Sequence, residues 1–117
     1  MVKCADISNV VKAPAVARRW ALCVTDEFFL QGDAERAMGM DVSPTCDRLA
    51  NSRVALQTGF IDSLAGPLFT ALAAAFPREG LDIPLEQLRQ NRALYALCTD
   101  LDLEGAREEA TASRVAP

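Results

Sequence analysis

A chain of 117 residues has room for one hydrophobic core and no more. Half of its residues are apolar and 24% are charged, a globular balance that excludes a disordered or fibrous chain. Twelve basic residues against sixteen acidic ones leave a net charge of −4, and no run of Lys and Arg could track a phosphate backbone, which excludes a nucleic acid polymer as partner.

The cysteines Cys4, Cys23, Cys46 and Cys98 stand far apart, with no C-x-x-C pair and no histidine anywhere in the chain. Reduced, mostly buried thiols are expected, and without an apolar leader at the start a cytoplasmic location is the expectation. The longest apolar stretch, 60–76, contains Asp62 and Pro67. It is shorter than the ~20 residues a bilayer crossing needs, so it predicts a core helix and no membrane span.

In chain order, the first strong pattern is an amphipathic helix over 14–30. Val16, Trp20, Val24 and Phe28 recur every four residues, Arg19 and Asp26 share the opposite side, and Pro14 suits the first turn. Gly32 and Asp33 predict a break and a restart, with Asp33 capping a short helix through Met38 that Gly39 stops. Residues 41–51 read as a loop with a turn at Ser43-Pro44. A long helix over 52–76 follows, carrying Val54, Ile61, Leu64, Leu68 and Leu72 on one face, kinked by Pro67 and ended by Pro77. A further helix starts at Pro84 and buries Leu85, Leu88 and Tyr95. No segment alternates with period two, so the class is all-α. Residues 1–99 form the folded part, and 100–117, acidic and then polar, form a tail expected to be disordered.

Asp6 lies in the opening run Lys3-Cys4-Ala5-Asp6-Ile7-Ser8-Asn9, a carboxylate in small, mildly apolar company. Taken alone, Asp6, Ser8 or Asn9 could simply cap a helix. Gln57 and Phe60, at i and i+3, lie side by side on a helix, so an amide could bond the edge of a planar base while the ring stacks on its face. The plainer alternative is a core phenylalanine beside a glutamine bonded to another helix. Phe28 reads as core, and Glu27, Asp33, Glu35 and Arg36 as a solvated face.

Together and in this order, the segments KCADISN, RRWA, EFFLQGDAER, SPTCDR and QTGFID resemble the class I 3′,5′-cyclic-nucleotide phosphodiesterases, from Lys3 to Phe76, with a weaker match in EQLRQNRALY. The resemblance covers the C-terminal part of that family's all-helical catalytic domain, in its helical subdomain. It implies hydrolysis of a cyclic nucleotide, cAMP rather than cGMP, to the 5′-monophosphate by a hydroxide activated between two metals, in signal transduction. By position, Asp6 resembles a ligand of the tighter-bound metal, usually zinc, beside a second ion usually taken as magnesium. Gln57 resembles the glutamine on the purine edge, Phe60 the ring stacked on it and Val24 the opposite apolar wall, while Asn9 stands where cAMP-preferring members often carry an asparagine that reaches the base. Ala17 and Ala21 replace tyrosine and threonine, and Thr45 replaces methionine, which implies a wider or differently selective pocket. The family's metal-binding histidines and its general acid lie upstream of the Asp6 segment. The resemblance therefore implies a missing N-terminal half as partner, leaves a homodimer open, and predicts that this chain alone is inactive, with no catalytic residue of its own. A truncated, non-catalytic paralogue acting as a protein-interaction module is the alternative.

Overall fold

A computed structural model describes residues 1–77 and 80–105. The elements are α1 (Val2–Asp6), a 3₁₀ turn Ser8–Val11, α2 (Pro14–Ala37), a 3₁₀ turn Pro44–Cys46, α3 (Arg53–Phe60), a π turn Ile61–Ala65, α4 (Gly66–Ala75) and α5 (Asp82–Leu97). A last helical turn covers 100–105. No strand occurs among the described residues, so the all-α expectation holds. Ala21 and Leu22 of α2, Ile61, Ala65 and Phe69 of the long helical run, and Leu88 and Tyr95 of α5 meet in one buried cluster. Asn91 ties α5 to the N-terminal segment, its amide donating to the carbonyls of Val10 and Lys12, each at 2.8 Å.

The break expected at Gly32-Asp33 does not occur, and α2 runs unbroken to Ala37. Gly32 is buried, and a Cβ built on it would overlap the Cys46 carbonyl oxygen. The glycine therefore serves the close approach of the 44–46 turn rather than a change of chain direction. The helix ends at Gly39, whose φ of 70° is left-handed, with Met40 N–H donating back to Glu35 O at 2.9 Å. Residues read as a solvated face are the fastenings of the following loop. Glu35 accepts from the backbone N–H and hydroxyl of Ser43 at 2.7 and 2.9 Å, Arg36 reaches Asp47 at 2.7 Å, and Arg48 grips Asp33. Hydrogen bonds from Gln31 and then Ser43 hold the Glu35 carboxyl below its ordinary range. Gly32→Ala is expected to destabilise the fold by about 1–3 kcal/mol, since the turn must move off α2. Chemical denaturation checks this, with Gly59→Ala, which meets nothing within 4 Å, as the tolerated comparison.

Where Pro67 leads to the expectation of a kink, the helix forms a π turn just before it. Proline lacks the N–H that would bond back and crowds the carbonyl four residues earlier. The chain responds by inserting one residue, and Gly66 N–H bonds to Ile61 O. From Arg53 to Ala75 the run has 23 residues, within the helix expected over 52–76 but longer than the apolar stretch 60–76, and by length and mean hydropathy of 1.2 it could cross a membrane. One flank instead packs Ile61, Ala65 and Phe69 in the core, and Asp62 is paired with Arg92 of α5 at 2.8 and 2.9 Å. Helix α5 begins at Asp82, two residues before the expected Pro84.

The boundary expected at 99 also shifts. Leu103 is fully buried, and Asp100 accepts the N–H groups of Arg53 and Val54 at 2.8 and 2.9 Å, so 100–105 belong to the folded unit. The rest of the expected tail, 106–117, lies outside the described residues.

Candidate functional site

The stripe Val16, Trp20, Val24 and Phe28, read from its period as the packing face of α2, is not the buried one. Ala17, Ala21, Thr25 and Phe29, one position on, are buried, whereas Trp20 is 57% exposed. Small side chains at 17 and 21 let neighbouring segments close onto α2, and Trp20, Val24 and Phe28 are left facing an opening. Ala17 and Ala21 thus lie in packed surroundings rather than on the cavity wall, and the wider pocket expected from them does not follow.

That opening is a cavity of about 810 Å³, within the range that takes a small-molecule ligand. One wall is α2, with Trp20, Cys23, Val24, Glu27 and Phe28; the other is α3, with Leu56, Gln57 and Phe60. Asp6 and Asn9 of the N-terminal segment also line it, and Thr45 comes from the loop fastened to α2. All the positions singled out in the sequence, Asp6, Asn9, Val24, Gln57 and Phe60, border this one space. Trp20, Cys23, Glu27 and Leu56 were missed, and Phe28, read as core, lines it too. A stripe of large apolar residues beside a stripe of small ones was the available signal.

Helix α3 is placed by its first turn. Ser52 Oγ accepts from Ala55 N–H at 3.0 Å and Asp100 takes the two preceding N–H groups, so the donors that open the helix are satisfied. Gln57 follows one turn later and is only 5% exposed, yet among the described residues its amide has no hydrogen-bond partner. A nearly buried amide facing a cavity offers one donor pair and one acceptor to whatever enters. Among the described residues, the interhelical hydrogen bond of the plainer reading is not formed.

Asp6 is different. Its side chain is 66% exposed and paired with Lys3 at 3.1 Å. Among the described residues no group of three or more His, Cys, Asp or Glu could hold a metal ion. One exposed carboxylate does not make a metal site, which needs at least three protein ligands for a catalytic zinc. The described residues therefore do not fit a zinc–magnesium pair by themselves.

A helical unit with a largely apolar cavity, and the nearly buried Gln57 amide on its wall, has the features of a small-molecule site. Residues 1–87 match the 3′5′-cyclic nucleotide phosphodiesterase family, and the chain belongs to it. It is 43% identical over 95 residues to a 3′,5′-cyclic-AMP phosphodiesterase, isoform F, of Drosophila melanogaster, an alignment covering 81% of this chain and 14% of that protein. Over the same length it is 40% identical to mouse (Mus musculus) 3′,5′-cyclic-AMP phosphodiesterase 4C, again 81% of this chain and 14% of the relative. A solved structure of LmjPDEB1 in complex with IBMX superposes with a TM-score of 0.74 at 36% identity, covering 81% of this chain and 28% of that one.

Proposed function

We propose that this chain supplies the base-recognition half of a cyclic-nucleotide phosphodiesterase site, and that the assembled enzyme hydrolyses cAMP in preference to cGMP to the 5′-monophosphate. The observation that carries the reading is the Gln57 amide, nearly buried and without a hydrogen-bond partner among the described residues, on the wall of a cavity that Phe60 and Val24 also line. The amide would bond the purine edge, Phe60 would stack on its face, Val24 would supply an apolar wall, and Asn9 would also reach the base. Both relatives described above are named as cyclic-AMP phosphodiesterases, which supports the same substrate class. The zinc and magnesium that the family resemblance implies would be held mainly by residues outside this chain, with Asp6 adding one oxygen at the rim.

Trp20 is the single tryptophan of the chain and lines the cavity, so its emission reports what enters. Titration with cAMP is expected to quench it saturably, with a weaker effect of cGMP at equal concentration. A strictly linear response to both nucleotides, as for collisional quenching, would sink the reading.

A further inference from the structure

Arg53 is the most buried cation among the described residues, its side chain only 10% exposed, and nothing in the sequence pattern marks it. Its guanidinium donates to Thr25 Oγ at 2.6 Å, pairs with Asp26 at 2.8 Å and Glu104 at 3.2 Å, and lies over the Phe29 ring at 5.1 Å. Thr25 is itself fully buried and bonds back to Ala21 O at 2.7 Å, so the far end of this contact is fixed to the α2 backbone.

The placement of these partners matters more than their number. Thr25, Asp26 and Phe29 interleave in α2 with Val24 and Phe28, which line the cavity. On α3, Arg53 stands one helical turn before Gln57, and both are buried on the same face. One side chain thus joins the two cavity walls next to the opening. The turn 100–105 braces it from outside, with Asp100 on the Arg53 backbone N–H and Glu104 on the guanidinium. A planar guanidinium can serve these directions at once, which an apolar side chain of similar length cannot.

We propose that Arg53 is a positioning residue that fixes the spacing and register of α3 against α2, and so aims Gln57 and Phe60 at the base, with Glu104 as its brace. This rests on the base-recognition reading above.

The test uses the 117-residue chain, cAMP as probe and Trp20 emission as readout. Arg53→Met is expected to raise the cAMP concentration for half-quenching by about tenfold or more with helical circular dichroism retained, Arg53→Lys to recover most of that loss, and Glu104→Gln to fall between. Arg53→Met binding as the wild type does would overturn the proposal, as would Arg53→Lys being no better than Arg53→Met. Gln57→Ala separates the two ideas. If it binds normally while Arg53→Met does not, the base-clamp reading falls and Arg53 stands. Hydrogen exchange needs no nucleotide and decides the matter if Arg53→Met misfolds or the wild type shows no saturable quench. Glu104→Gln is expected to speed amide exchange through 55–60 several-fold more than through α5, and uniform exchange would overturn the proposal.

Discussion

Incubated with zinc, magnesium and either cAMP or cGMP, the 117-residue chain is expected to release no 5′-monophosphate above a protein-free control. The reason is the donor set. The chain has no histidine, and Asp6 stands at the rim with a lysine, not a second acid, beside it. A single exposed carboxylate cannot fix a divalent ion in an open catalytic geometry. With no imidazole in the chain, the side chain best suited to donate a proton near neutral pH is missing as well. Tyr95 is no substitute, because burial pushes its phenol up to about 12 and it belongs to the core, not the cavity. Turnover that co-purifies with the chain through two columns and disappears in Asp6→Ala would contradict this expectation.

The second large effect concerns Gln57, measured where the chain is joined to the segment that completes the metal site. Gln57→Ala is expected to raise KM for cAMP by roughly 5- to 150-fold, the equivalent of the ~1–3 kcal/mol that leaving buried polar atoms unpaired costs. The turnover number should change much less, because a base remote from phosphorus makes similar contacts in the ground and transition states. Steady-state kinetics of a variant with unchanged metal content checks this. An unchanged KM for both nucleotides would remove the base clamp and leave the glutamine as a buried residue with no partner. Gln57→Glu gives a finer reading: it keeps the size and replaces the amide's donors with acceptors, so its loss should approach that of alanine if a donor to the base matters.

The fold class and some of the cavity residues could be read from the chain because they rest on local, periodic or position-specific signals. Proline at the start of α2 and glycine at the stop at 39 each act within a few residues of themselves, and the structure keeps both. Asp6, Asn9, Val24, Gln57 and Phe60 come from three separate segments, and their likeness to one family's motifs grouped them before any geometry did. What failed were inferences that depend on a partner far away in sequence. Gly32 read as a helix break because glycine is a poor helix former. It stays helical because Cys46, distant in the chain, presses its backbone against that spot. The every-four stripe on α2 was legible, but periodicity records only that a face is apolar and not whether a helix or a ligand covers it. Residues 100–105 carry too few apolar side chains to signal order, yet Leu103 is buried and Asp100 and Glu104 are committed to Arg53. The sequence by itself thus determined an all-helical chain of this family and five residues that border one cavity. Only the tertiary structure decided which face of α2 is packed, where the folded unit ends, and that a buried arginine joins the two walls of the cavity, because burial and ion pairing are settled by contacts between segments far apart in the chain.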